Sequence, residues 1–127
     1  MFYNEYMKIK NPVGKHGENQ AAHYLTEHGY RLVEMNFRKN YTEIDIIAVK
    51  DDTLVFVEVK TRVSDSFGKP FEAITRDKIN NLIRTAHLYA KLHPELPRAM
   101  RIDAIGVTID KNGVVEDIEH VENISGF

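Results

Sequence analysis

The stretch EIDIIAVKDDTLVFVEVK, residues 43–60, decides the fold. It contains two runs rich in β-branched residues on either side of an Asp-Asp pair, and this pattern predicts two strands joined by a tight turn. Charged residues nevertheless stand inside both predicted strands: Asp45 between isoleucines, and Glu58 and Lys60 among valines. Because a buried charge loses its hydration, such positions need a structural or chemical explanation.

The rest of the chain predicts a single α/β (α+β) domain with the element order αβββαβ and one further strand. Hydrophobic periodicity and turn residues predict helices over 14–29 and 71–93, and strands over 30–37, 42–50, 53–62, 98–110 and 114–121. An Asn-Gly pair in the turn 110–113 predicts a hairpin that leads to an edge strand at the C-terminus. We expect residues 1–13 to form a flexible arm, because Asn-Pro at 11–12 should break a helix, and residues 14–127 to form the domain.

Composition excludes several classes of function. The 127 residues are 43% hydrophobic and 28% charged, which is typical of a globular protein. The chain has no cysteine, which excludes disulfides, thiol catalysis and cysteine-ligated zinc. It has no apolar run near the ~18 residues that span a membrane, and its first residues lack an apolar signal core. We therefore expect a cytoplasmic protein with no membrane partner.

Net charge is −2, so only the distribution of charge bears on nucleic acid binding. Residues 41–59 carry five acidic and one basic side chain, whereas residues 60–91 carry seven basic and three acidic side chains. This distribution indicates either a metal site beside a phosphate-binding surface or helices with ordinary solvated faces. Three aromatic residues, Tyr24, Phe37 and Tyr41, either stack on bases or belong to the core. None of the six histidines has zinc-helix spacing, so we expect them at the surface or in packing.

Folding the predicted hairpin about residues 51–52 places Asp45 opposite Glu58, and Glu43 opposite Lys60. Like charges in opposite positions destabilise a sheet, and burial increases that cost. A divalent cation with hard oxygen ligands, Mg²⁺ or alternatively Mn²⁺, would remove the conflict. The alternative is a solvated sheet face with an ordinary ion pair. The apolar residues on both faces of these strands favour a covered strand and therefore the metal site.

Two further residues could complete such a site. Lys60 lies on the predicted face of Glu58, where its ammonium group could orient an attacking water and stabilise charge on a phosphate. Glu18 lies on the core-facing stripe of the first helix. It either interacts favourably with the start of that helix or points towards the same metal.

The spacing of Glu18, Asp45 and Glu58-Val59-Lys60 resembles the PD-(D/E)xK signature of the restriction-endonuclease-like nucleases. Longer stretches resemble one uncharacterised bacterial family of that superfamily, the YraN-type proteins. The matching stretches are GKHGENQAAHYLTEHGY (14–30), EIDIIA (43–48), LVFVEVKTR (54–62), FGKPFEAITRDK (67–78) and RIDAIGV (101–107). One departure is Thr42, at a position where this family usually has glycine.

The resemblance implies a restriction-endonuclease-like core, with a mixed central sheet flanked by helices. It implies that Asp45 and Glu58 bind Mg²⁺, with the Val59 carbonyl as a possible further ligand. Lys60 is then the catalytic lysine, and Glu18 the acidic residue of the first helix that supports the attacking water or a second metal.

The same resemblance implies a nucleic-acid-binding surface formed by Arg62, Lys69, Arg76 and Lys78. The alternative for this part of the chain is a tight Gly-Pro turn and a helix cap, with Glu72 as the capping residue. We therefore expect a Mg²⁺-dependent hydrolase that cleaves nucleic acid, with DNA as the expected substrate, and a homodimer would suit the cutting of two strands. The alternatives are a non-catalytic nucleic-acid-binding module on the same fold and a subunit recruited by a protein partner.

Overall fold

The structure, a computed structural model, describes residues 11–64 and 74–127. Within these residues the elements are α1 (Pro12–Glu27), β1 (Arg31–Lys39), β2 (Thr42–Lys50), β3 (Thr53–Val63), α2 (Arg76–Leu92), β4 (Ala99–Ile109) and β5 (Val115–Val121). The strands form one sheet in the order β1-β2-β3-β4-β5. Only the β3–β4 pair among them is parallel, and the other neighbours are antiparallel. The predicted αβββαβ core with a C-terminal edge strand is confirmed.

The sheet lies between the two helices, because each face buries a separate apolar cluster. The α1-side cluster, which packs against the first helix, includes Ala21, Leu25, Ile46, Ala48, Val55, Val57, Ile105 and Val107. The α2-side cluster includes Ile44, Ile47, Leu54, Phe56, Leu82, Ala86, Tyr89 and Ile102. The central strands β2 and β3 are therefore covered on both faces, as their nearly continuous apolar sequences predict. No helix in the described residues is long and apolar enough to cross a membrane.

Both helices begin at residues that differ from the prediction. α1 begins at Pro12 rather than residue 14, because Asn11 is its N-cap and accepts a hydrogen bond from the Gly14 N–H at 2.8 Å. Proline is tolerated in the first turn, where its missing N–H has no helical partner, so Asn-Pro starts the helix instead of preventing it. α2 begins at Arg76 rather than residue 71, because Thr75 accepts a hydrogen bond from the Lys78 N–H at 3.1 Å. The predicted cap Glu72 lies outside the described residues.

The predicted register of β2 and β3 is confirmed from the turn outwards. Lys50 pairs with Thr53, and the pairing continues to Ile46 opposite Val57. In the described ladder it does not extend to Asp45 and Glu58, which would be the next pair. The register therefore places Asp45 and Glu58 at matching positions on the two strands, one residue beyond the last backbone pair.

Near Asp45, the side chains of β2 do not alternate strictly between the two faces of the sheet. Ile44 packs in the α2-side cluster, whereas Ile46 packs in the α1-side cluster, although the two residues should share a face. On the neighbouring strand β1, Asn36 has a left-handed backbone with φ 57°. Glu43 consequently lies within reach of Asn36 and Arg38, and the predicted pairing of Glu43 with Lys60 is not formed in the described ladder.

The C-terminal hairpin forms as predicted. The Oδ1 atom of Asp110 accepts hydrogen bonds from the N–H groups of Asn112 and Val114, and Gly113 adopts a left-handed backbone with φ 87°. β5 is the edge strand next to β4. Its exposed side chains are acidic at Glu116 and Asp117, a composition that discourages pairing with another sheet.

Candidate metal and nucleic-acid site

Two buried carboxylates lie where the β2–β3 ladder ends. Asp45 on β2 is 3% exposed, and Glu58 on β3 is 5% exposed. The Val59 N–H donates a hydrogen bond to Oδ2 of Asp45 at 2.7 Å. Because that N–H belongs to the peptide unit between residues 58 and 59, the Asp45 carboxylate lies beside the backbone of the Glu58-Val59 segment.

The Glu58 side chain lies on the α2 side of the sheet. Its neighbours Val57 and Val59 pack against the α1-side cluster, so alternation directs Glu58 to the opposite face. On that face the Lys78 Nζ, from the first turns of α2, lies 3.6 Å from Oε2 of Glu58. Lys78, predicted to contact nucleic acid, is thus also a counter-ion of Glu58, with 41% of its side chain exposed.

Lys60 and Arg62 follow Glu58 on the same face of β3. The intervening Thr61 points towards α1, since a Cβ atom added at Gly17 would lie 1.7 Å from its Oγ1. On the neighbouring strand β4, Ala104 lies beside Glu58 and Gly106 beside Lys60. β4 therefore contributes only a methyl group and a hydrogen atom next to the two residues of the predicted active site.

The guanidinium of Arg62 is only partly satisfied by the protein. Its Nε atom is buried and has no hydrogen-bond partner in the part of the chain that the structure describes. Arg76 is the exposed first residue of α2, close in sequence to Lys78. Lys69, the remaining predicted phosphate contact, lies outside the described residues.

Glu18 belongs to a polar cluster between α1 and the first two strands. It is 3% exposed, and its Oε1 accepts a hydrogen bond from the Asn36 Nδ2 at 2.9 Å. The same amide group donates to Oε2 of Glu43 at 3.2 Å. A cleft of about 370 Å³ is lined by Glu18, by the first residues of α1 and by residues 59–61 of β3.

The carboxylates of Asp45 and Glu58 are suitable ligands for a magnesium ion. Mg²⁺ is commonly bound by one or two carboxylates together with waters and substrate oxygens, and Asp45 and Glu58 supply two such groups from neighbouring strands. The described residues contain no cluster of three or more His, Cys, Asp or Glu side chains placed to hold a metal ion.

Sequence reasoning missed a second buried aspartate and its network. Asp103 on β4 is fully buried, and its carboxylate accepts hydrogen bonds from Arg101 Nε at 3.0 Å and from the Asn123 N–H at 2.9 Å. The ring Nε2 of His120 lies 2.8 Å from Oδ2 of the same carboxylate. Burial alone would raise the pKa of Asp103, but its contacts with His120, Arg101 and the Asn123 backbone lower this pKa below its usual value. The sequence did contain an indication that Asp103 is buried, because Asp103, like Asp45, stands between apolar residues of a strand.

The three candidate base-stacking aromatics have different environments. The Phe37 ring packs edge-on against Tyr89 with centroids 4.8 Å apart, and Tyr24 Oη lies 3.3 Å from Nδ1 of His120. Both side chains are partly buried, Tyr24 against the α1-side cluster and Phe37 against the α2-side cluster. Tyr41, between β1 and β2, is 72% exposed. Of the three, Tyr41 presents the most accessible ring.

Comparisons with known proteins agree with the resemblance noted from the sequence. Residues 17–107 match the family described as Uncharacterised protein family UPF0102. A UPF0102 protein of Syntrophomonas wolfei is 41% identical over 115 residues, which cover 91% of this chain and 98% of that protein. One from Leifsonia xyli is 46% identical over 101 residues, covering 80% and 86%, and one from Bacteroides thetaiotaomicron is 44% identical over 116 residues, covering 91% and 93%.

A solved structure of Pyrococcus furiosus SfsA in complex with Ca²⁺ is similar with a TM-score of 0.41 and 16% sequence identity. The match covers 83% of this chain but only 62% of the SfsA chain. The sequence matches alone decide the family, because they extend over nearly the whole domain. The chain belongs to the UPF0102 family.

Proposed function

We propose that this protein is a metal-dependent nuclease that hydrolyses phosphodiester bonds in nucleic acid, with DNA as the expected substrate. The observation that carries the proposal is the pair of buried carboxylates, Asp45 and Glu58, at the end of the β2–β3 ladder. Two neighbouring buried carboxylates are costly unless positive charge lies between or beside them. The PD-(D/E)xK spacing supports the same interpretation.

Asp45 and Glu58 would hold the Mg²⁺ or Mn²⁺ ion, with the Val59 carbonyl as a further ligand. When bound, the ion would supply positive charge that activates water and stabilises the charge developing on the phosphate. The Val59 N–H holds one carboxylate oxygen of Asp45, which fixes the orientation of that carboxylate before any ligand arrives. Such prior orientation is what a catalytic site requires.

Lys60 would donate hydrogen bonds to the water and to a phosphate oxygen from the face that Glu58 also occupies. Glu18 would help to orient the attacking water from the cleft between the start of α1 and residues 59–61. Arg62, with its buried Nε, and the exposed Arg76 would contact neighbouring phosphates. These roles divide the site into a hydrolytic part on β2 and β3 and a phosphate-binding part that continues to α2.

A cleavage screen tests this proposal. The purified protein is incubated with Mg²⁺ or Mn²⁺ and with labelled single-stranded, duplex, flap and branched DNA, and with the matching RNAs. We expect cleavage of at least one substrate, and its loss in Asp45→Asn, a variant whose amide oxygen can still accept the Val59 N–H. Asp117→Asn, on the exposed edge strand, should cleave like the wild type. Absence of cleavage on every substrate would refute the proposal.

The ion pair between Lys78 and Glu58 favours a second candidate, a non-catalytic nucleic-acid-binding module. With its Nζ 3.6 Å from Oε2, Lys78 already neutralises part of the charge that a metal would otherwise neutralise. This candidate predicts that the protein binds nucleic acid equally well in EDTA and in Mg²⁺, and that Asp45→Asn leaves that affinity unchanged.

A further inference from the structure

A second cleft, of about 350 Å³, lies between the β1–β2 turn and the middle of α2. On the turn it is lined by Lys39 and Tyr41, and on the helix by Asn81, Arg84 and Thr85. No acidic side chain belongs to the described lining of this cleft. It therefore combines two cations, hydrogen-bonding groups and one aromatic ring, and none of these residues has a role in the proposed hydrolytic site.

Tyr41 is the most exposed aromatic residue in the ranges 11–64 and 74–127. Its ring is 72% exposed, whereas the neighbouring aromatic Phe37 is packed against Tyr89. The preceding residue, Asn40, has a left-handed backbone with φ 57°, which forms the tight turn that carries the tyrosine at its tip. An exposed ring on a tight turn, with cations nearby, is a platform suited to stacking on a flat partner.

The cleft lies on the same side of the sheet as Glu58. Lys78, Asn81 and Thr85 are three and four residues apart on α2, so they lie along one face of the helix. Lys78 contacts Glu58 at one end of this row, and Asn81 and Thr85 line the cleft further along it. Thr42, also in the cleft wall, precedes Asp45 by three residues on β2, a distance of about 10 Å along a strand. A chain bound at the carboxylates can thus continue into the cleft.

We propose that this cleft is a nucleobase-binding subsite that accepts an unpaired nucleotide of a single-stranded segment. Tyr41 stacks on the base, while Lys39 and Arg84 contact the flanking phosphates. A paired base has both faces covered by its neighbours in a duplex, so a stacking platform at a turn selects for unpaired bases. The inference rests on the proposed function and specifies its substrate class, namely nucleic acid with a single-stranded part.

The absence of tryptophan from the chain allows a direct test. The Tyr41→Trp variant carries a single fluorophore at the proposed platform, and Val121→Trp carries one on β5, at the opposite edge of the sheet. Each variant is titrated in EDTA, where no hydrolysis can occur, with a single-stranded oligonucleotide and with a duplex of the same length. We expect the single strand to quench Tyr41→Trp fluorescence at lower concentrations than the duplex, and to leave Val121→Trp fluorescence unchanged.

Binding of a labelled single strand by anisotropy gives the independent measurement. Tyr41→Ala should weaken that binding at least about fivefold, as expected for the loss of one base-stacking contact, whereas Tyr41→Phe should bind like the wild type. Equal quenching of Tyr41→Trp by the two nucleic acids, or an unchanged affinity of Tyr41→Ala for the single strand, would overturn the subsite.

Different results would refute the nuclease proposal and the subsite proposal. Binding through Tyr41 by a protein that cleaves no nucleic acid would refute the nuclease and retain the subsite. Metal-dependent cleavage by a protein whose Tyr41→Ala variant binds and cleaves single-stranded substrates normally would refute the subsite and retain the nuclease.

Discussion

The Val59 N–H donates a hydrogen bond of 2.7 Å to the Asp45 carboxylate immediately beyond the last backbone pair of β2 and β3. In a continued antiparallel ladder, a backbone carbonyl of β2 would accept this hydrogen bond. Here an aspartate side chain accepts it, so the end of the ladder and the orientation of Asp45 are set by the same contact. The candidate site is thus part of the sheet itself and not of a surface loop.

Replacing Lys60 with methionine should reduce cleavage about 100-fold or more, because the variant loses a charged donor that acts on the phosphate. The side chain is only partly buried, so we expect little change in the free energy of unfolding. Single-turnover cleavage assays and urea unfolding measure the two quantities. Lys111→Met, in the exposed β4–β5 turn, is the control. A Lys60→Met variant that cleaves at the wild-type rate would show that Lys60 has no catalytic role.

Replacing Lys78 with methionine should increase the affinity for Mn²⁺ about three- to fivefold, because the variant removes a cation 3.6 Å from Oε2 of Glu58. The effect is small because solvent screens the half-exposed ammonium group. Calorimetric titration measures the affinity, and Lys91→Met, on the exposed last turn of α2, is the matched control. Weaker Mn²⁺ binding by Lys78→Met than by the control would contradict a metal at Glu58.

Replacing Asp103 with asparagine should lower the free energy of unfolding by about 3 kcal/mol at pH 7, since it leaves Arg101 without its buried partner. The pKa of Asp103 is lowered in the folded state, so its stabilising effect is fully present above the ordinary value of 3.8 and is lost as pH falls through the folded pKa. The difference between wild type and variant should therefore shrink below about pH 4.

Urea unfolding at pH 7 and at several lower pH values measures this difference. Asp117→Asn, exposed on the neighbouring strand β5, should show almost no effect at any pH. A difference between wild type and Asp103→Asn that stays constant down to the lowest pH would show that ionisation of Asp103 does not stabilise the fold.

Replacing Gly17 with alanine should destabilise the protein by about 1–3 kcal/mol through overpacking. The new Cβ would lie 1.7 Å from Oγ1 and 2.7 Å from Cβ of Thr61, a β-branched side chain on β3 with little freedom to move. Gly14→Ala is the matched control in the same helix, because its Cβ would meet only the Asn11 Oδ1, at 3.6 Å. Thermal unfolding compares the two, and equal melting temperatures would contradict close packing of α1 on β3.

The hairpin of β2 and β3 was predictable because the residues that determine it, a turn and two apolar strands, are close together in the sequence. Residues 46–50 and 53–57 pair as the turn at 51–52 dictates, and their apolar composition indicates a strand covered on both faces. The switch of faces at Asp45 was not predictable. It coincides with the left-handed backbone of Asn36 on another strand, and a hydrophobic pattern contains no information on that angle.

Other differences arise where several local signals compete or where the partner is distant in sequence. The hydroxyl of Thr75 caps α2, although the sequence also has an acidic residue, Glu72, as a candidate cap three residues earlier. His120 was expected at the surface or in packing, and its ring does pack beside Tyr24 and Tyr30. Its contact with Asp103 was not predicted, because only the helical spacing of the histidines was considered. Its partner Asp103 lies on the strand paired with its own, and only the β4–β5 hairpin brings the two together.

Asp45 and Asp103 carry the same sequence signal, an aspartate between apolar residues of a buried strand. For Asp103 the protein supplies the compensating charge through Arg101 and contacts with His120. For the Asp45–Glu58 pair, Lys78 supplies part of that charge to Glu58. The central claim is that a divalent cation bound by both carboxylates supplies the rest.

Calorimetric titration of Mn²⁺ and Mg²⁺ into the wild type, Asp45→Asn, Glu58→Gln and Asp117→Asn tests that claim most directly. We predict one ion bound per chain in the wild type and in Asp117→Asn, and no binding in Asp45→Asn or Glu58→Gln. Absence of binding in the wild type, or equal binding by all four proteins, would contradict it.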